Sequence, residues 1–237
     1  MTALYELIDD LVTANHILFD QGVLDAFGHV SVRDPLDAGK FYLSRSLAPS
    51  RVRAQDIVQW NLDGSPVLAD APEGYLERYI HSEIYRARPD VQSIVHSHSA
   101  SVIPFGASSV PLKPMFHAAG FLHDVRKFDI REASGRSTDM LVSSPELGTY
   151  LAHALGPSDV ALMCGHGCVV AGRSLKLAVF RAVYTEVNAR IQQQAHALGS
   201  SYRTLDDEEA LLADEANAGQ VDRPWQLWAE AARAKRQ

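Results

Sequence analysis

The stretch Ser93-Ile94-Val95-His96-Ser97-His98 places two imidazoles two residues apart, directly after an apolar pair. Alternate side chains of a strand project from the same face, so a strand here directs both rings to one point. Neutral imidazole is a good ligand for several divalent metals. Taken alone, the pair fits a metal site and a solvated strand equally well.

A third histidine lies between two glycines in Gly165-His166-Gly167, with apolar runs on both sides. Glycine permits a tight turn and a close backbone approach, which leaves the imidazole accessible. By itself this motif favours a hairpin with an incidental histidine. Three histidine ligands with an open position are nevertheless typical of catalytic metal sites. Together, His96, His98 and His166 predict one divalent ion, for which Mn, Zn, Fe and Co are equally suitable.

Residues 73–88 precede this strand and show helical spacing, with an apolar stripe of Leu76, Ile80 and Ile84. The opposite face carries Glu77, His81 and Tyr85 at one-turn steps. This polar face is either solvated surface or the source of a carboxylate for the metal or the substrate.

The remaining elements are predicted from periodicity and from turn residues. Helices are predicted at 3–21, 145–155, 174–198, 206–216 and 223–235. Strands are predicted at 29–33, 41–43, 57–62, 67–68, 93–98, 160–164 and 168–171. Without a regular βαβ alternation, they favour a mixed, largely antiparallel sheet flanked by helices. We predict a single domain over 1–237, with a helical C-terminal extension from about residue 201.

Composition narrows the class of protein. The 237 residues carry a net charge of −7, which argues against a nucleic-acid surface. No apolar run approaches the roughly 20 residues of a membrane span, and the N-terminus lacks a signal-peptide pattern. The two cysteines, Cys164 and Cys168, are interpreted as small residues of a strand region. We therefore expect a cytoplasmic protein with a small-molecule partner, acting neither on nucleic acid nor at a membrane.

Four motifs carry a family resemblance: Gly28-His-Val-Ser31, Arg88-Pro-Asp-Val91, His96-Ser-His98 and Gly165-His-Gly167. In this order, over about residues 5–200, they resemble the class II aldolase/adducin family. The resemblance implies a nine-stranded sheet between helix layers, and a homotetramer with active sites at subunit contacts. It also implies that His96, His98 and His166 hold the metal, and that Glu77 is an acid/base group or a fourth ligand.

Two departures from the sugar-phosphate members concern substrate binding. Ser44-Arg-Ser-Leu-Ala-Pro49 and Tyr75 stand where those enzymes place phosphate-binding hydroxyl and glycine groups, which disfavours a phosphorylated sugar. In Pro114-Met-Phe-His-Ala-Ala119, His117 takes the place of the aldolase tyrosine.

These replacements resemble the family branch that decarboxylates hydroxylated aromatic carboxylates, of the hydroxymethylpyridine-dicarboxylate and dihydroxyphthalate decarboxylase type. Arg45 can pair with a carboxylate through two parallel hydrogen bonds. Substrate contacts are expected from His29, Ser44, Arg45, Ser46 and Tyr75. Glu77 or His117 is the expected catalytic acid.

Three other functions stay open at this point. One is a metal-dependent aldolase of a non-phosphorylated hydroxy-ketoacid or sugar, which would use the same ligands. Another is a non-haem iron oxygenase on the same fold, because three histidines also suit Fe(II). The third is an adducin-like interaction module without activity.

Overall fold

The computed structural model describes residues 2–199 and 201–236, and its centre is a mixed sheet. Within these residues the sheet has seven strands: β1 (His29–Arg33), β2 (Lys40–Ser44), β3 (Ile57–Asn61), β4 (Ser93–Ser97), β5 (Val125–Phe128), β6 (Val160–Met163) and β7 (Gly167–Gly172). Their order is β3-β2-β1-β4-β7-β6-β5, and only the β5–β6 pair is parallel. The predicted mixed, largely antiparallel sheet is confirmed.

Helices cover both faces of this sheet. They are α1 (Thr2–Asp20), α2 (Arg78–Ala87), α3 (Ile103–Ala107), α4 (Ile130–Ser134), α5 (Pro145–Leu155), α6 (Leu175–Leu198), α7 (Asp207–Ala218) and α8 (Asp222–Lys235). Short 3₁₀ helices span Pro49–Arg51, Ala54–Asp56 and His117–His123. None of the helices described here is long and apolar enough to cross a membrane.

The alternation of side chains along the central strand β4 divides the interior into two cores. Val95 packs into the core formed with α1, α6 and α8, whereas Ile94 packs into the core formed with α2 and α5. Since successive strand residues point to opposite faces, the histidine at position 96 lies on the same side as Ile94. The metal-ligand candidates of this strand therefore face the layer that contains α2.

Some predicted elements differ from the structure. The helix predicted over 73–88 begins only at Arg78, because Gly74 pairs with Arg45 and lies so close to the Trp60 ring that a Cβ would overlap it. The strand predicted at 67–68 does not form, and only Pro66 bridges to Trp60. Proline lacks the N–H that a ladder needs. The described residues accordingly form seven strands, two fewer than the resemblance implies.

Three short elements around residues 117–134 were not predicted. The strand β5 alternates poorly because Arg126 and Lys127 occupy its middle, and both are exposed at the edge of the sheet. The 3₁₀ helix at His117–His123 and the five-residue helix α4 are too short for a helical period to emerge.

The C-terminal helices pack against the main body of the chain. From α8, Trp225, Ala229 and Ala232 enter the core shared with α1 and α6. The buried guanidinium of Arg181 pairs with Asp159 at 2.9 Å and with Asp214 on α7 at 3.1 Å. The helix α7 also lies directly on the 3₁₀ helix at Gly120, where a Cβ would overlap the carbonyl oxygen of Ala210.

This close approach makes Gly120 a test of how α7 is held. We expect Gly120→Ala to lower the free energy of unfolding by about 1–3 kcal/mol, because the added methyl pushes two backbones apart. Denaturant titration followed by circular dichroism measures the change. The control is Gly219→Ala, where a Cβ would meet only the Ala216 oxygen at 3.7 Å. Equal stability of the two variants would show that α7 is not packed as described.

Candidate metal centre and substrate site

Antiparallel pairing brings distant histidines to one edge of the sheet. The strand β1 begins at His29, which pairs across the ladder with His96 on β4. His98 follows β4 directly, and His166 immediately precedes β7. Because β4 is antiparallel to both neighbours, its end lies beside the beginnings of β1 and β7. The three histidine motifs of the sequence therefore meet at the same place.

The turn that carries His166 depends on its two glycines. Gly165 has φ +68°, a conformation that residues with a side chain rarely adopt. A Cβ at Gly167 would overlap the carbonyl oxygen of Ser97, so only glycine lets the two strand ends approach this closely. The flanking glycines thus place the imidazole of His166 over the end of β4.

The carboxylate of Glu77 reaches the same place from the start of α2. Glu77 is the N-cap residue of this helix and is buried. Its Oε1 accepts a hydrogen bond of 2.9 Å from the backbone N–H of Val142. This contact fixes the carboxylate and leaves Oε2 directed at the histidines.

The result is a cluster of four side chains, Glu77, His96, His98 and His166, that we call the ligand cluster. The Nε2 atom of His98 lies 3.2 Å from that of His96 and 2.9 Å from that of His166. The Oε2 atom of Glu77 lies 3.5 Å from the Nε2 of His96 and 3.4 Å from that of His166. All four ligand atoms lie within 4.8 Å of one another.

This donor set fits a divalent metal ion. Ligands about 2.0–2.1 Å from a tetrahedral ion are roughly 3.3 Å apart, close to the separations found here. The Nδ1 atom of His96 lies 3.1 Å from the carbonyl oxygen of Cys168. When Nδ1 carries the ring proton and donates it to this oxygen, Nε2 carries no hydrogen and can bind a metal ion. Nitrogen and carboxylate donors of this kind could hold Zn, Mn, Fe or Co.

The protonation states also suit metal binding. Burial alone would raise the pKa of Glu77, but in the metal-free cluster His166 and His96, when they carry a proton on Nε2, hold this pKa well below its usual value. Burial, together with the neighbouring histidines, lowers the pKa of His98 to about 4. At neutral pH the cluster therefore offers an ionised carboxylate and a neutral His98 imidazole, the forms that bind metals.

Three of the predicted substrate-binding residues lie together beside this cluster. The buried ring of His29 lies 5.1 Å from the His96 ring and 4.5 Å from the Tyr75 ring. The Tyr75 hydroxyl donates to the carbonyl oxygen of Leu47 at 2.5 Å and lies 3.1 Å from the Ser44 hydroxyl. Tyr75 thus links the 44–47 loop to the edge of the ligand cluster.

Arg45 and Ser46 of the same loop are not brought into the ligand cluster. The Nε–H of Arg45 donates to Asp56 at 2.7 Å, because the 3₁₀ turn at 54–56 places this carboxylate beside it. Arg45 lines a cavity of about 700 Å³ whose other basic residues are His16, Arg51, Arg53, Lys235 and Arg236. Ser46 is exposed, and its backbone N–H donates to the carbonyl oxygen of Glu73.

His117 is also outside the ligand cluster. It is exposed at the start of the 3₁₀ helix 117–123, and its carbonyl oxygen accepts a hydrogen bond from Asn217 on α7. Within the described residues it makes no hydrogen bond or ion pair with the four ligand-cluster side chains. The described part of a single chain therefore does not bring this imidazole into the ligand cluster.

Several residues near the site had no assigned role in the sequence analysis. The polar face of α2 is not solvated surface, because His81 and Tyr85 are completely enclosed against β1. Phe27 is 66% exposed, and its ring lies 6.1 Å from that of His98. The contact between Val142 and Glu77 involves backbone, which leaves no trace in the residue type.

The fold and the site together define the class of protein. Residues 9–193 match the class II aldolase and adducin N-terminal domain, and the chain belongs to this family. The family resemblance found in the sequence motifs is confirmed.

Particular relatives are similar over almost the whole chain. A decarboxylase, tropJ, of Talaromyces stipitatus is 37% identical over 240 residues, covering 92% of this chain and 90% of that protein. A 3,4-dihydroxyphthalate decarboxylase of Arthrobacter keyseri is 28% identical, covering 91% and 89%. The crystal structure of an aldolase II superfamily protein from Pseudomonas syringae superposes with a TM-score of 0.80 at 22% identity, covering 98% and 93%.

The ligand cluster generates a direct prediction about metal content. His96→Ala, His98→Ala and His166→Ala should each lose stoichiometric metal while the far-UV circular dichroism spectrum stays that of the parent. Elemental analysis of protein purified without chelator measures the occupancy. His153→Ala, at an exposed histidine of α5, is the matched control and should keep its metal. Full occupancy in any of the three variants would remove that residue from the ligand set.

Proposed function

We propose that this protein is a divalent-metal-dependent decarboxylase of a hydroxylated aromatic or heteroaromatic carboxylate. The observation that carries the proposal is the convergence of Glu77, His96, His98 and His166 next to the rings of His29 and Tyr75. Such a site combines ligands for one ion with a flat, partly aromatic wall for a ring.

The relatives support the reaction type and the substrate class. Two of them, at 37% and 28% identity over nine-tenths of this chain, are decarboxylases, and one is named for a dihydroxylated aromatic dicarboxylate. The solved structures in the comparison support the fold alone, because the Pseudomonas protein shares only 22% of its residues with this chain.

In the proposed reaction, the bond between a ring carbon and its carboxylate breaks and CO₂ leaves. A proton first adds to this ring carbon while the ortho phenolate oxygen becomes a carbonyl. When the bond to CO₂ breaks, its electron pair restores the aromatic ring and the negative charge returns to that oxygen, so that hydrogen replaces the carboxylate. A bound divalent ion supplies Lewis acidity to the oxygens of the substrate. The ring of Tyr75 would pack against the aromatic ring of the substrate, and the 44–47 loop would close one side of the pocket.

Glu77 and His117 receive different roles in this proposal. Because the pKa of Glu77 is held well below its usual value, the carboxylate stays ionised and serves first as a ligand. His117 is exposed, so it can act as the catalytic acid only where a second subunit completes the site. The homotetramer implied by the family resemblance would provide such a contact.

Arg45 is proposed to bind a second carboxylate of the substrate. Its cavity is lined by five Arg or Lys side chains and two Asp, although the chain as a whole carries −7. The hydrogen bond to Asp56 uses only Nε, so both terminal nitrogens of the guanidinium remain for a carboxylate. Leu47 lines this cavity and accepts the hydrogen bond of Tyr75, whose ring lies beside His29 at the ligand cluster.

The proposal is tested by measuring CO₂ release from a panel of ortho-hydroxylated aromatic mono- and dicarboxylates with the metal-loaded protein. We expect turnover of at least one of them, and Glu77→Gln should lower kcat about a hundredfold or more, because a neutral amide replaces the ionised carboxylate ligand. Glu73→Gln, an exposed glutamate four residues earlier, is the control and should match the parent. Cleavage of hydroxy-ketoacids into pyruvate and an aldehyde, without CO₂ release from any aromatic acid, would favour the aldolase instead.

The role of Arg45 gives a separate prediction. Arg45→Lys keeps the charge but loses the planar fork, so kcat/KM for an aromatic dicarboxylate should fall about ten- to a hundredfold. The loss should be much smaller for the matching monocarboxylate. Arg51→Lys, in the same cavity, is the control. If the Arg45→Lys variant has the same kcat/KM as the parent for both substrates, Arg45 does not bind the second carboxylate.

A further inference from the structure

Behind His29 lies a buried row of hydrogen-bonded side chains that the proposed reaction has not yet used. The Nδ1 atom of His29 lies 2.6 Å from the Nε2 of His81, and the Nδ1 of His81 lies 2.6 Å from the Ser31 hydroxyl. The row ends at Tyr85, whose hydroxyl lies 2.7 Å from that of Ser31. All four side chains are buried.

The order of this row follows from the spacing of its residues on β1 and on α2, which pack against each other. His29 and Ser31 are two residues apart on β1 and therefore share a face, while His81 and Tyr85 are one turn apart on α2. When α2 packs on this face, the helix residues alternate with the strand residues. The order His29, His81, Ser31, Tyr85 is the consequence.

The hydrogens in this row have a preferred direction. Within the described residues, Ser31 is the single hydrogen-bond partner of the Tyr85 hydroxyl. Tyr85 must therefore donate to Ser31, because a buried hydroxyl hydrogen without an acceptor loses the hydrogen bond that it makes to water in the unfolded chain. The Ser31 hydroxyl then donates to Nδ1 of His81, and Nε2–H of His81 donates to Nδ1 of His29. Since Nδ1 of His29 accepts, the ring proton of His29 lies on Nε2.

This result holds for several protonation states. If His81 carries a second proton, it still donates to Nδ1 of His29, whose Nε2 still carries a hydrogen. If His29 is doubly protonated, Nε2 carries a hydrogen as well. Nε2 lacks a hydrogen only if both rings are neutral and every hydrogen bond in the row is reversed. In that arrangement the hydroxyl hydrogen of Tyr85 has no acceptor.

The Nε2–H of His29 is free to meet a ligand. It has no hydrogen-bond partner within the residues that the structure describes, and it is not among the fully enclosed polar atoms. The ring lies between those of Tyr75 and His96, on the same edge of the sheet as the ligand cluster. A hydrogen-bond donor therefore stands beside the metal centre.

We infer that the row Tyr85–Ser31–His81 fixes His29 as an Nε2–H donor to an anionic oxygen, a carboxylate or phenolate, of the bound substrate. His81 and Ser31 are positioning residues, and they act through His29. The identity of the oxygen rests on the proposed function, whereas the position of the proton on His29 does not.

The first experiment locates the ring proton by ¹⁵N NMR of histidine-labelled, zinc-loaded protein at neutral pH, with His29 assigned from the His29→Gln spectrum. We expect a protonated Nε2 and a bare Nδ1 in the parent. In Ser31→Ala the ¹⁵N chemical shifts of the His29 ring should move toward the values of a mixture of both tautomers. In Ser31→Thr and Tyr85→Phe the parent tautomer should persist, since a hydroxyl still donates to His81. A parent His29 with its proton on Nδ1 would overturn the inference, whatever the substrate.

The second experiment separates positioning from general damage. Ser31→Ala should lower kcat/KM for the aromatic acid about two- to fivefold with unchanged metal content, because only part of a tautomer mixture presents the Nε2–H donor. In the His29→Gln background the same change should leave kcat/KM unchanged, since the glutamine amide donates without help from the row. The control is Tyr79→Phe, a half-buried tyrosine of α2 outside the row. An equal loss in both backgrounds would assign Ser31 a structural role only.

The two hypotheses fail in distinguishable ways. If no aromatic acid is decarboxylated, the proposed function is wrong while the NMR result for His29 still stands. If aromatic acids are decarboxylated but Ser31→Ala leaves both the tautomer and kcat/KM unchanged, the inference is wrong and the decarboxylase remains.

Discussion

The antiparallel pairing of β4 with both β1 and β7 is the constraint on which the site depends. The register places His29 beside His96 and Ser97 beside Cys168, so the ends of three strands meet at one edge. A shift of one residue would move each histidine of these strands to the opposite face of the sheet. The register is held by apolar residues on both faces of β4, which is completely buried.

Glycines make this meeting of strands sterically possible. Gly28 has φ +85°, and a Cβ there would lie 2.5 Å from the Leu24 side chain and 2.9 Å from the carbonyl oxygen of His96. Gly167 plays the equivalent role on the other side of β4, against Ser97. The motifs that carry His29 and His166 therefore contain glycine at the points where their backbone touches β4. The same contacts bring the two imidazoles close to that of His96.

Burying a polar helix face is the costly feature of this architecture. His81 and Tyr85 would lose their hydrogen bonds to water on folding. In the folded chain His81 accepts one from the Ser31 hydroxyl and Tyr85 donates one to it. Burial lowers the pKa of His81 to about 3, so the ring is neutral over the physiological range. Glu77, one turn earlier on the same face, is compensated by the N–H of Val142 and by the histidines. Satisfying these groups fixes the helix relative to the sheet, and it therefore also fixes the geometry of the site.

The sequence alone determined the elements whose signal is local. The strand residues around His96, the turn at His166 and the long helices follow from periods of two and 3.6 residues and from glycine. Motif order was enough to predict the family, and the lack of a regular βαβ alternation predicted the mixed sheet. Residue type and spacing pointed to His96, His98 and His166, whereas Glu77 was added only by the family resemblance.

Only the tertiary structure decided which polar groups face each other. The Glu77 face of α2 had two open interpretations, since the helical period of Leu76, Ile80 and Ile84 marks one apolar side and says nothing about a second buried side. The helix begins at Arg78 rather than at residue 73 because Trp60 and Arg45 hold Gly74 in another conformation. The partner of Arg45, the backbone contact of Glu77 and the direction of the row behind His29 likewise arise between segments far apart in the chain. No local pattern encodes such contacts, because their energies depend on the packing of the two layers.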